Sequence, residues 1–123
     1  MIYTSYFANV KKLPQNIIPI AISASIPKSV RMTMYQKLAP SYDILMTWKR
    51  NPDQEKYIKN YKEQILSGLD AGKVVTELYR LSHGKDIALI CYEKPEDFCH
   101  RHLVAEWLTE SGLCGEVKEY KHV

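Results

Sequence analysis

Two kinds of apolar spacing divide the chain. Residues 2–7 and 17–23 are short and rich in β-branched or aromatic side chains, and Ile87-Ala88-Leu89-Ile90 is an unbroken apolar run. Strands buried on both faces read this way, because neither side of the pleat meets water. Elsewhere the apolar positions recur at helical intervals. Ile44, Leu45 and Trp48 share one face behind Ser41, which can cap a helix start. Tyr57, Ile58, Tyr61, Ile65, Leu66 and Leu69 form a second stripe, opened by Asn51-Pro52-Asp53 and closing near Gly68. Val74, Val75, Leu78 and Tyr79 make a third between Asp70 and Gly84. Leu103, Val104, Trp107 and Leu108 make a fourth within residues 98–111.

Together these predict strands at 2–7, 17–23 and 86–92, helices over 41–48, 51–68, 70–84 and 98–111, and an extended piece at 116–120. Residues 27–40 show no period. They form a connection longer than average, as functional loops often are. Strands alternating with helical cover predict a compact three-layer α/β domain with a largely parallel sheet of about four strands flanked by helices. We expect a single domain over residues 1–123.

Composition narrows this little. Hydrophobic residues make up 46% and charged residues 25%, which argues against disorder. A net charge of +3 does not by itself imply nucleic acid, and only Lys11-Lys12 and Lys49-Arg50 are adjacent cations. Nine tyrosines suit amphipathic packing at the core edge better than a base-stacking platform. No apolar run approaches the roughly 20 residues of a membrane helix, so no membrane partner is expected. Met1-Ile2-Tyr3 opens straight into strand-like sequence, so no export signal is expected either. Three cysteines then fit a reducing cytoplasm better than a disulfide framework.

Candidate chemistry concentrates between the strand at 86–92 and the helix after it. There Cys91, Glu93, Cys99, His100, Arg101 and His102 gather at a strand end and a helix start. Ligands of open α/β sheets bind beyond the carboxyl ends of the strands, which adds Ser5, Tyr6, Ser23 and Ser25 to the same edge. At about 100° per residue, His100 falls within the buried arc of its helix, Cys99 and Arg101 flank it, and His102 turns toward water.

The expected site therefore has Cys99, His100 and Glu93 as catalytic candidates and Arg101, Cys91, Ser5, Tyr6 and Ser23 as ligand-binding ones. Arg101 could hold a phosphate or tie to Glu93 or Glu96; the phosphate is preferred. Under that reading, Arg101→Ala weakens phosphate binding by more than about 1 kcal/mol and leaves the fold intact. Cys91 reads as inert, and Cys114 as turn packing.

Several sharper readings fail on spacing. A cysteine phosphatase places an arginine six positions after its thiol, but those positions hold Asp97 and Ala105. No Gly-rich phosphate loop or G-x-S-x-G elbow occurs. Cys91, Cys99, His102 and Cys114 lack the two-residue spacing of strong zinc motifs, so no metal site is expected. A redox pair of Cys91 and Cys99 needs Cα atoms within about 7 Å. The leading expectation is an anionic-ligand domain, for a nucleotide or nucleic-acid phosphate, with or without catalysis. The alternative is an interaction or inhibitory module using residues 31–37, with a purely structural Cys-His-Arg segment.

The run Leu89-Ile90-Cys91-Tyr92-Glu93, followed by Phe98-Cys99-His100-Arg101-His102-Leu103, resembles the domain-of-unknown-function 488 family. In that family an apolar strand ends in Cys-x-Glu and Cys-His-Arg opens the next helix. Thr4-Ser5-Tyr6-Phe7-Ala8-Asn9 and Leu38-Ala39-Pro40 resemble one small branch of it. The resemblance implies a small cytoplasmic α/β fold with a site on Cys91, Glu93, Cys99, His100 and Arg101. It is compatible with nucleotides or nucleic acids as ligands.

Overall fold

The computed structural model describes residues 1–121. Five parallel strands form one sheet: β1 (Ile2–Tyr6), β2 (Ile17–Ala21), β3 (Thr33–Met34), β4 (Asp86–Cys91) and β5 (Lys118–Glu119), in the order β3-β2-β4-β1-β5. The helices are α1 (Tyr42–Arg50), α2 (Gln54–Gln64), α3 (Ala71–Leu81) and α4 (His100–Ser111). Strand β4 pairs with β1 on one side and β2 on the other, and all its residues after Asp86 are buried. That explains its unbroken apolar run.

The layering follows from the crossovers. The path from β3 through α1–α3 to β4, and that from β4 through α4 to β5, cross the sheet in one direction. Right-handed connections then place all four helices on one face. Accordingly, Ile2, Ile20, Ile87 and Leu89 share a core with Ile44, Tyr61, Leu78, Val104 and Leu108. The β1–β2 connection runs the opposite way and covers the other face. There Phe7, Val10 and Leu13 pack on Ile17, Ala88 and Ile90, from a segment whose residues Phe7–Lys12 are a 3-10 helix.

The sequence-based elements hold, mostly with shorter ends, while α1 runs two residues further, to Arg50. Ser41, Asp53 and Asp70 cap α1, α2 and α3 by accepting from the backbone N–H groups of Ile44, Lys56 and Lys73. Pro52 precedes the α2 cap rather than opening the helix. After α3 the chain reverses through His83 and Gly84 at positive φ, and Gly112 (φ 72°) ends α4.

The segment without periodicity contributes the fifth strand. Tyr35 N–H donates to Ala21 C=O, extending β3 along β2, and the fully buried Leu38 enters the main core. The fully buried Tyr61 hydroxyl donates to Leu38 C=O at 2.6 Å, tying this segment to α2. Tyr61→Phe leaves that carbonyl without its donor and should cost about 1–2 kcal/mol in denaturant-unfolding free energy. An unchanged midpoint and slope would show that the bond contributes nothing.

Candidate functional site

The carboxyl edge of the sheet opens between β2 and β4. Ile22 N–H donates to Ile90 C=O, carrying the pairing one residue past β2. Beyond it, residues 22–25 and 91–99 part, and α1 and α2 close the gap. The result is a cavity of about 150 Å³. Five expected site residues line it: Ser23, Cys91, Glu93, Cys99 and His100. Its remaining walls include Leu45, Trp48, Tyr57, Tyr92 and Phe98.

Ser5 and Tyr6 do not line this cavity, contrary to expectation. Strand β1 lies on the far side of β4 from β2, so its end faces β5 instead. Ser5 is fully buried and accepts from Asn9 Nδ2 at 3.2 Å. The Tyr6 ring lies 5.8 Å from the Arg101 guanidinium carbon.

Arg101 is also elsewhere than expected. Its side chain is 0% exposed. Nε and Nη2 donate to the two carboxylate oxygens of Glu119, each at 3.1 Å, in a bidentate pair. Nη1 donates to Glu93 C=O at 2.6 Å and to Cys91 Sγ at 3.0 Å. Thr4 Oγ1 adds a 2.7 Å bond to Glu119. The fork preferred for a phosphate is thus held by a carboxylate on β5, and the partner is neither Glu93 nor Glu96. Arg101 fastens the α4 start, the β4 end and β5 together.

His100 behaves as its helical phase predicts. It is buried, and its Nε2 lies 2.7 Å from Ile22 C=O. A carbonyl can only accept, so Nε2 carries the proton and Nδ1 keeps its lone pair. That lone pair lies 3.8 Å from Cys99 Sγ. Burial lowers the His100 pKa from 6.5 to about 4, despite the bond to Ile22 and helped by nearby Arg101. The ring is neutral at physiological pH. His102, expected in water, is half-buried. Its Nε2 is enclosed with no hydrogen-bond partner among the described residues, and burial lowers its pKa as well.

Cys91 and Cys99 are joined as a disulfide, so the expectation of reduced thiols is not met for this pair. The pairing weighed from the sequence is thus formed, at a Cα separation of 7.5 Å that slightly exceeds the 7 Å expected of it. Cys114 is free.

The aromatic wall is what sequence reasoning missed. Trp48, Tyr57 and Phe98 form one cluster, with Trp48 centroids 5.6 Å from Tyr57 and 5.2 Å from Phe98. The helical stripes of Trp48 and Tyr57 signalled burial but not that they end at a cavity, and Phe98, ahead of α4, belonged to no stripe. Burial, reinforced by the charge of Glu93, pushes the Tyr57 hydroxyl pKa up and keeps it a neutral donor.

Two outcomes follow. Glu119→Ala strands a fully buried guanidinium and should destabilise the fold by about 3 kcal/mol or more. Arg101→Ala should likewise lower the melting temperature, reversing the expectation of an intact fold. Thermal and denaturant unfolding check both, and near-native melting of either variant would show the ion pair to be dispensable. In the unfolded chain His100 takes up a proton near pH 6.5 that the folded form refuses until about pH 4. Stability therefore falls as pH drops through that window, by up to about 3 kcal/mol from this group. His102 contributes with the same sign. Unfolding measured from pH 7 to 4 should show a shallower loss in His100→Gln, and identical slopes would exclude the effect.

No helix is long and apolar enough to cross a membrane. No curated protein and no solved structure is matched by the chain. The DUF488-N3a family, described as the active DUF488-N3 subclade, matches residues 2–112, which include β1 to β4 and all of α4 up to Ser111. The chain accordingly belongs to the domain-of-unknown-function 488 family, in its DUF488-N3a subclade.

Proposed function

We propose that this chain binds a nucleotide or nucleic-acid base by its flat ring, in the cavity between β2, β4 and α1. The observation that carries this reading is the convergence of an aromatic wall with a polar donor and a carboxylate on one cavity. Trp48 and Phe98 offer faces for stacking, Tyr57 a neutral donor, and Glu93 a carboxylate acceptor. Among the described residues, the cavity has no lysine or arginine in its lining, and Glu93 adds negative charge. The base is therefore what the cavity selects, and a phosphate stays outside it. This replaces Arg101 as the ligand-holding group. Arg101 is a positioning residue, acting through Cys91 and the Glu93 backbone.

Catalysis at this site requires the reduced state, since a disulfide sulfur has no thiolate to offer. A reduced Cys99 can donate its S–H to His100 Nδ1. Moving the proton onto that ring is another matter. Burial holds the imidazole pKa down, which makes the ring a poor acceptor for a thiol proton. His100 therefore orients Cys99, and Glu93 on the same cavity is left as the candidate proton carrier. Reduced Cys99 is the nucleophile candidate of this site.

Titrating the reduced protein with nucleosides and nucleoside monophosphates, followed by calorimetry, tests the reading. Nucleosides should bind about as well as their monophosphates, with little dependence on salt. Trp48→Ala should weaken binding roughly 10- to 100-fold, the worth of one stacked base. Trp107→Phe, outside this cavity, should leave it unchanged. Affinity that survives Trp48→Ala, or that follows the phosphate alone, overturns the proposal.

A further inference from the structure

We propose that reduction of the Cys91–Cys99 disulfide creates a three-ligand zinc site, formed by Cys91 Sγ, Cys99 Sγ and His100 Nδ1 at the floor of the cavity. These donor atoms all lie within 4.8 Å of one another, and all three residues are buried. Zinc holds sulfur at about 2.3 Å and imidazole nitrogen at about 2.0–2.1 Å, which places neighbouring tetrahedral donors about 3.5–3.8 Å apart. Cys99 Sγ and His100 Nδ1 already stand at 3.8 Å. The backbone agrees. At 7.5 Å, the two cysteine Cα atoms stand wider than the usual 4.4–6.8 Å of a disulfide, which leaves room for an ion between the sulfurs once they are reduced.

The surroundings already support such ligands. Zinc-bound imidazoles generally donate their second nitrogen to a carbonyl or carboxylate, and His100 Nε2 meets Ile22 C=O at 2.7 Å. Arg101 Nη1 donates to Cys91 Sγ at 3.0 Å, a bond a thiolate accepts well. Glu119 balances the charge of Arg101, so two thiolates and a neutral imidazole are left to match one divalent ion. All three ligands line the cavity, which leaves a fourth position facing the space shared with Glu93 and Ser23. Structural zinc sites are closed by four protein ligands, and an open position is the mark of a catalytic one. The spacing differs from common zinc motifs because two ligands are adjacent at a helix start and the third ends a strand.

The chemistry balances with a dithiol or phosphine as reductant. The reductant gives two electrons to the S–S bond, two thiols form, and zinc then displaces their protons to solvent. The site shares the cavity of the proposed base-binding reading but does not rest on it. Nucleoside binding is measured on metal-free reduced protein, and metal binding with no nucleoside present, so either can fail alone.

The probe is cobalt(II), added to phosphine-reduced full-length protein without oxygen and then displaced by zinc. We expect one cobalt per chain, with thiolate-to-cobalt charge-transfer absorption and the strong visible bands of tetrahedral coordination. Cys91→Ser, Cys99→Ser and His100→Gln should each weaken zinc by more than the 10–100-fold typical of losing a ligand's hydrogen-bond partner. Cys114→Ser should bind as the parent does. Should a cysteine variant not fold, alkylation of the parent protein decides. Zinc should then protect Cys91 and Cys99 but not Cys114. Absence of the charge-transfer band, its survival in folded Cys99→Ser, or equal alkylation of all three thiols with zinc present overturns the site.

Discussion

The buried pair of Arg101 and Glu119 organises everything at the carboxyl edge. A guanidinium with no exposed side-chain surface is tolerable only when charge and hydrogen bonds compensate its lost hydration, and this one has both. It is charge-paired to β5, bonded to the backbone just past β4, and carried on the first turn of α4. Three elements are thereby locked at one point. The cavity beside it inherits fixed walls.

That arrangement separates two tasks the sequence had combined. Cys99, His100 and Arg101 are consecutive, yet they serve different surroundings. Cys99 and His100 line the cavity, while Arg101 turns to the far side of β4. The cavity is left with aromatic faces, one carboxylate, a neutral imidazole and two sulfurs. Such a lining suits a flat, largely uncharged ring or a thiophilic cation much better than a naked phosphate.

Burial sets the chemistry of this lining as firmly as residue identity does. An exposed histidine would titrate near neutrality. Here desolvation holds His100 neutral, and its bond to Ile22 fixes which nitrogen is free. The same ring in water would be a serviceable base. Enclosed, it is a neutral ring whose free nitrogen faces Cys99 Sγ.

Much of this fold was legible from spacing alone. Unbroken apolar runs marked the buried strands, and three- and four-residue intervals marked α1 to α4, because these periods are what solvent exclusion imposes on each backbone geometry. The capping roles of Ser41 and Asp70, and the inward turn of His100, were readable for the same local reason. Residues 27–40 were not, because a two-residue strand is too short to show a period and gains its pairing only from β2.

Contacts across the sheet lay beyond any local pattern. Which carboxylate meets Arg101 depends on β5 pairing with β1 in a register that sets Thr4 opposite Glu119. Which strand ends share a cavity depends on β2 and β4 being neighbours while β1 stands beyond them. The chain by itself determined its elements, their caps and the segment that carries the chemistry, because those follow from side-chain periodicity and backbone preference. Strand order, the ion pair and the cavity's aromatic wall were decided only by tertiary packing, because they depend on residues far apart in sequence meeting in a shared space.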